Sequence, residues 1–384
     1  MKKSVLITLF CIITLSSCGK EWVAKIEGKS PSKIYIDEFN SLYYAQHRMS
    51  YGEEKTNEEI DKLAENLNYI QRNPLLDKKK FLDQLIQIEL VVNKAKNDNF
   101  IENDEELQSY IDTYTQGAVV NFYAQKKFKD KLVVSDEEIA KEYETNMEMF
   151  KNADMDKVEN YIKQQLLQKK FVSLGNELIE ELKTGSTIEK NADVIKKIKN
   201  DETTEDKDWV VKIDGKELKA KDYITLYYSQ LKTLYNTDKE HIDTLRKTPE
   251  AVEKNPLLSH DGFIEQYIRQ DLMYKKAVDD KVFETNPDLK SLITLQEKNL
   301  IMSYYLKDKL GKETEVTEDE ITGFYQQNAD KFANVPADQA ENYIRQQISQ
   351  QKLQRAMSNF ITALKEESKI EKKPELFTKT EEQK

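Results

Sequence analysis

Two apolar rhythms run along this chain, and each occurs twice. "WVAKIEGK", from Trp22, alternates apolar and polar residues and ends at Glu27-Gly28. That is the pattern of a short strand closed by a turn. "WVVKIDGK", from Trp209, repeats it and ends at Asp214-Gly215. The period then lengthens to a helical one, carrying Phe39, Leu42 and Tyr43, and later Tyr223, Leu226 and Tyr227. Asn73-Pro74 and Asn255-Pro256 break what precedes them, because proline disfavours the helical conformation of the residue before it. Asp77 and Ser259 stand where a side-chain oxygen can cap a new helix. Phe81, Leu82, Leu85, Ile86, Leu90 and Val92 follow at near-helical spacing. Ser135 with Glu138, and Thr317 with Glu320, spell capping boxes. A last long helix is predicted over 156–183 and again over 338–366. "STIEK" and "SKIEK" then close the copies as β-prone scraps. A lone strand leaves its backbone groups unpaired, so each scrap is expected to pair with the opening strand of its own copy.

These twin patterns are a duplication. From Asn73 to Lys190 the offset to the second copy stays at 182 without a gap. "ENYIKQQLLQKK" at Glu159 answers to "ENYIRQQISQQK" at Glu341. Such a period is too long for a solenoid repeat. The predicted organisation is a signal peptide over 1–17 and a first module over 18–199. A charged linker over 200–208 and a second module over 209–384, ending in a short charged tail, complete it. The fold class is mainly α, two tandem helical modules, each with a small β element from its opening and closing strands.

The leader changes the chemistry available. "MKKSVLITLFCIITLSSC" has a charged start, an apolar run too short to span a bilayer, and small residues before Cys18. Leu15-Ser16-Ser17-Cys18 resembles the lipobox of bacterial lipoproteins, which implies that Cys18 is acylated. It also implies a membrane-anchored protein of the cell envelope, facing the periplasm or the exterior. The other cysteine, Cys11, lies in the leader, so the mature chain has no thiol for disulfides or nucleophilic catalysis. Without residues 1–17, 57 basic residues face 70 acidic ones, a net charge of −13. An acidic chain without a basic block argues against nucleic acid as partner. Charged residues make up 34% of the chain and apolar ones 38%, which favours solvated helices around slender cores.

Nothing in the sequence assembles catalytic chemistry. His47, His241 and His260 do not recur at aligned positions and read as surface or helix-face residues. There is no Gly-rich phosphate loop, nucleophile elbow or EF-hand spacing. The reading is therefore of a non-enzyme without cofactor or metal. Tyrosines are the better clue. Tyr43-Tyr44 and Tyr227-Tyr228 recur, and tyrosine joins apolar area to a polar tip. Met147, Met149 and Phe150, with Phe332 in the second copy, add adaptable apolar groups. These eight residues are the candidate client-binding set.

The order of a "VAKIEG"-like strand, a helix, "FLDQLIQIELVVNKAK", "VSDEEIAKEYETNMEMF", a "YIKQQLLQKK" helix and a closing strand resembles the chaperone module of SurA and PrsA, the exported parvulin-type foldases. In that family the two ends of the module fold together around an inserted isomerase domain. Here only eight residues separate Phe150 from Glu159, and eight separate Phe332 from Glu341, too few for such a domain. The resemblance thus implies a holdase for unfolded exported or outer-membrane polypeptides, without isomerase activity. The alternative is a structural or surface-interaction lipoprotein that presents the same scaffold to one folded partner. The anchor is testable first. Stable anchoring takes more than one acyl chain, so the wild-type protein partitions with membranes, and Cys18→Ala accumulates as an unacylated precursor. Mass spectrometry of the mature N-terminus checks it, and a soluble, lipid-free wild type beginning elsewhere refutes it.

Overall fold

Each copy opens with a β-hairpin. The computed structural model describes residues 21–52, 54–150, 155–332 and 335–377; the expected signal peptide, Cys18 and the end of the charged tail lie outside these residues. In the first copy β1 (Trp22–Glu27) pairs antiparallel with β2 (Ser32–Tyr35). β3 (Ile188–Lys190) closes that copy. In the second, β4 (Trp209–Ile213) turns directly into β5 (Lys216–Lys219), with Ile213 opposite Lys216. Asp214 and Gly215 both take positive φ, 49° and 81°. A two-residue hairpin turn that matches strand twist needs that backbone, and Asp-Gly supplies it at low cost. β6 (Lys369–Lys372) closes the second copy.

The helices follow the duplication. α1 (Ile36–Tyr51) is followed by α2 (Asn57–Glu65), α3 (Leu67–Arg72), a 3₁₀ turn at Pro74–Leu76 and α4 (Lys78–Asn97). The NPLL motif makes that turn. Asn73 Oδ1 accepts from the Leu75 N–H at 3.2 Å, and Asn255 Oδ1 accepts from the Leu257 N–H at 3.2 Å. Asp77 then caps α4, while Leu76 is fully buried. Next come α5 (Glu105–Phe128), α6 (Asp136–Thr145), α7 (Met147–Phe150), α8 (Met155–Thr184) and, after β3, α9 (Ala192–Lys199). The second copy supplies α10 (Ala220–Tyr235), α11 (Lys239–Leu245), α12 (Pro249–Lys254), α13 (His260–Asp279) and α14 (Val282–Thr285). It ends with α15 (Pro287–Leu310), α16 (Glu318–Gln327), α17 (Ala329–Phe332) and α18 (Ala337–Glu366). Among the described residues the chain is mainly helical, with two small sheets. Helices α5 and α15 did not stand out in the apolar rhythm. The buried stripe of α5 includes Thr115 and Tyr123 beside Leu107, Ile111 and Val119, which dilutes its signal.

Strand pairing corrects the expected organisation. β3 pairs with β4, the opening strand of the other copy, with Ile188 opposite Ile213. β6 pairs with β1, with Ile370 opposite Ile26. Neither closing strand meets the opening strand of its own copy. The closing sequences are nearly alike, so side chains do not select the partner. Chain connection does: β3 reaches β4 through α9 and the segment 200–208, a far shorter loop than the one back to Trp22, and closing a shorter loop costs less entropy.

The compact units follow these pairings and not the boundary expected at 200–208. One joins the residues up to Asp104 with those from Lys290 on, and the other is Glu105–Leu289. Each therefore combines the first half of one copy with the second half of the other. The same lock recurs in both. Tyr123 Oη donates to Asp280 Oδ2 at 2.5 Å beside Lys276, and Tyr305 Oη donates to Asp98 Oδ2 at 2.5 Å beside Lys94. Hydrogen bonds from Lys276 and then Tyr123 hold the Asp280 carboxyl down at about 2. The segment 200–208 is irregular but tied down, since Asp201 is ion-paired with the buried Arg246 guanidinium. Because Glu105–Leu289 is continuous in sequence and carries its own core and sheet, it should unfold cooperatively by itself. A fragment over 208–384 lacks β3 and α9 against its hairpin and should not. Urea titrations followed by far-ultraviolet circular dichroism decide between these outcomes.

Candidate functional site

Six of the eight expected binding residues are core. Tyr43 and Tyr227 are fully buried, and Tyr44 and Tyr228 are nearly so. The reason is a hydrogen bond that ties α1 and α10 to the repeated turn. Tyr43 Oη donates to the Leu76 carbonyl at 2.7 Å, and Tyr227 Oη donates to the Leu258 carbonyl at 2.6 Å. Phe81 and Phe263 pack edge-on against these rings at 5.4 and 5.1 Å. Their neighbours bond sideways. Tyr44 Oη donates to Asp61 at 2.9 Å with Lys78 Nζ 3.0 Å away, and Tyr228 Oη donates to Asp243 at 2.6 Å. Burial opposes ionisation of Asp243, but hydrogen bonds from Lys239, Tyr228 and Arg246 outweigh it and hold the carboxyl well below its usual range. The expected groove tyrosines are thus packing groups. Removing a buried aromatic costs about 3–5 kcal/mol, and the stranded carbonyl adds to that.

Two histidines also belong to these clusters, which corrects the expectation of surface positions. His47, on α1, lies 4.5 Å from the Tyr43 ring, and its Nε2 donates to the Leu75 carbonyl at 3.1 Å. His260, at the start of α13, lies 4.5 Å from the Tyr227 ring, with Nδ1 2.9 Å from Tyr223 Oη. Each copy places one imidazole on the same tyrosine from a different helix, so no aligned repeat betrayed it.

Exposed apolar residues occur in both halves of each copy, Met49, Leu67 and Leu234 in the first halves among them, but the pair that recurs, Tyr161 and Tyr343, lies in the second halves. The capping boxes form as expected, Ser135 with Glu138 and Thr317 with Glu320. A lysine from the long helix braces each box: Lys170 Nζ is 2.7 Å from Glu138, and Lys352 Nζ is 2.8 Å from Glu320. The cores behind them are small. Ile139, Phe150, Val158 and Ile162 form one, and Ile321, Phe332, Ala340, Ile344 and Ile348 form the other. Phe150 and Phe332 are therefore buried, against expectation. Each has two tyrosines within 6.0 Å. Tyr143 stacks on Phe150 at 6.0 Å, and Tyr161 meets it edge-on at 6.0 Å. Tyr325 stacks on Phe332 at 5.7 Å, and Tyr343 lies 6.0 Å away. Tyr161 and Tyr343 are each 52% exposed, and Met147 and Met149 stand 49% and 72% exposed beside the first triad.

The sequence held a signal for these tyrosines. Tyr143 and Tyr325, and Tyr161 and Tyr343, recur at the same offset as their phenylalanines. The doubled tyrosines, by contrast, lie on helices where the aromatic side chains are packed. Among the described residues no group of three or more His, Cys, Asp or Glu converges to hold a metal ion, and no helix is long and apolar enough to cross a membrane.

The buried imidazoles make stability depend on pH. Burial, then the charge of Arg246, lowers His260 from 6.5 to about 4. The unfolded chain therefore binds a proton more readily than the folded one between those values. Stability is full above pH 6.5 and falls as the pH drops toward 4, by roughly 3 kcal/mol from this group. His260→Gln should flatten the fall of the melting temperature between pH 7 and 4; an unchanged slope would show that the imidazole is not held neutral.

Compared with known proteins, the chain matches no family model, no curated sequence and no solved structure, so the chemistry of the triads rests on their geometry.

Proposed function

We propose that this chain is an ATP-independent holdase, anchored through an acylated Cys18, that binds unfolded exported or outer-membrane polypeptides without isomerising them. The observation that carries the reading is the repeated Tyr–Phe–Tyr triad. In both copies a buried phenylalanine holds an exposed tyrosine, and the first adds two exposed methionines. Aromatic faces with polar tips and flexible thioethers suit clients of varied sequence. A holdase needs such groups exposed, since capturing unfolded chain lowers the concentration of aggregating species. The acidic frame keeps the apolar patches soluble. The resemblance to the SurA and PrsA chaperone module supports the same reading, because each compact unit assembles a module's first and second ends, here drawn from different copies.

The test separates binding from folding. The soluble mature protein should suppress light scattering from a denatured client without ATP, and it should not accelerate cis–trans exchange in a proline peptide. Tyr161→Ser, Tyr343→Ser and Met149→Ser combined should weaken suppression several-fold. Exposed substitutions change stability by only about 0.5 kcal/mol each, so the melting temperature stays close to wild type. Full suppression by the triple variant removes the triads from the mechanism, and no suppression of any of several clients favours a scaffold that binds one folded partner.

A further inference from the structure

The two compact units are closed by the same joint but through different connections. In each, the first half of one copy receives the second half of the other. Ile370 lies opposite Ile26 as Ile188 lies opposite Ile213, and Tyr305 meets Asp98 as Tyr123 meets Asp280. In the Glu105–Leu289 unit the two strands that meet are close in the chain, since β3 reaches β4 through α9 and the segment 200–208. In the other unit the partners are the stretches 21–104 and 290–377, and all of Glu105–Leu289 lies between them in sequence. Closing a longer loop costs more entropy, whereas association with another chain gains with concentration.

Contacts between those two stretches, and not a short connection, hold them together. Phe39 stacks on Phe377 with ring centres 4.3 Å apart, the Lys373 ammonium lies 3.8 Å from the centre of the Trp22 ring, and Lys372 is ion-paired with Asp83. The same stretch from a second copy of the chain offers the same groups. Lys298 fixes which second half is accepted. Its ammonium is ion-paired with Glu89 and lies 3.4 Å from Glu38, while its side chain is only 13% exposed. Gln116 stands at the aligned position of the other second half and has no charge to give those carboxylates. A buried carboxylate left without its cation is costly, so 21–98 takes another 290–377. The turn that must open lies between α4 and α5, at 98–104, where Asn99 has a φ of 50°. Short turns under backbone strain favour exchange between copies.

We propose that the chain forms an exchanged dimer with a second copy of itself. The stretch 21–98 of each chain closes on 290–377 of the other, so β1 of one copy pairs with β6 of its partner. Glu105–Leu289 stays closed within its own chain, because its connection is short. Reciprocal exchange of one identical element leaves no interface open and ends at two chains. The inference rests on strand pairing and chain connection and not on the triads, so it stands apart from the holdase reading.

Cysteine pairs across the two sheets test it in the full-length mature protein beginning after Cys18, which has no thiol of its own. Lys25→Cys with Glu371→Cys bridges β1 and β6, and Glu189→Cys with Lys212→Cys bridges β3 and β4, each pair lying directly opposite. Refolding from urea at about 100 µM instead of about 1 µM should raise the dimer-to-monomer ratio at least about tenfold, because association follows mass action. Light scattering on the cysteine-free protein reads the same ratio without either pair. After oxidation of the isolated dimer, the 25–371 disulfide should join two chains on a non-reducing gel, while the 189–212 disulfide stays within one. The absence of a dimer at either concentration overturns the proposal. A dimer whose 25–371 disulfide stays within one chain overturns it too, since that is surface association. A 189–212 disulfide between chains shows that the short connection does not keep its unit closed, and likewise overturns it.

Discussion

A strand without a partner is the constraint on which this structure turns. Each copy ends in a short β segment whose backbone groups need pairing, and each copy begins with a hairpin whose inner strand has one free edge. Two closing strands and two open edges can be matched in two ways. The chain takes the one in which neighbours in sequence pair: β3 with β4 through a short connection, leaving β6 for β1. Once those pairings are made, the long helices that precede the closing strands come with them. Helix α8 packs on α13 of the second copy, and α18 packs on α4 of the first. The division into compact units follows from the strands.

Hydrogen bonds that recur at identical positions make the exchange tolerable. Each half carries the same complementary groups, so a second half finds its tyrosine's acceptor in either copy. Tyr123 reaches Asp280 as Tyr305 reaches Asp98. The repeated NPLL turn serves the same end within the first halves, where the Leu76 and Leu258 carbonyls receive the hydroxyls of Tyr43 and Tyr227. The motif that reads as a helix break in the sequence is, in the fold, a joint that holds one helix against the next.

What is left for function lies where the repeated fold does not consume its own side chains. The small cores around Phe150 and Phe332 are too narrow to cover every aromatic residue that flanks them, so Tyr161 and Tyr343 stay in solvent. Duplication also lets the two units diverge at matched positions, as Lys298 and Gln116 do. Such pairs separate what the fold requires of a position from what one unit adds to it.

The sequence by itself determined the elements with a strong local pattern, though not α5 and α15. Alternation at Trp22 and Trp209, the Asn-Pro breaks, the capping boxes at Ser135 and Thr317, and the long closing helices are local patterns. Local hydrogen bonding and backbone sterics suffice to produce them. The constant offset fixed the duplication in the same way. Tertiary structure alone decided which copy's closing strand meets which hairpin, because that choice depends on loop entropy between nearly identical partners. It also decided which tyrosines are buried. Tyr43 and Tyr161 are alike in a helical pattern, and only the distant Leu76 carbonyl, or its absence, separates a core hydroxyl from a surface one.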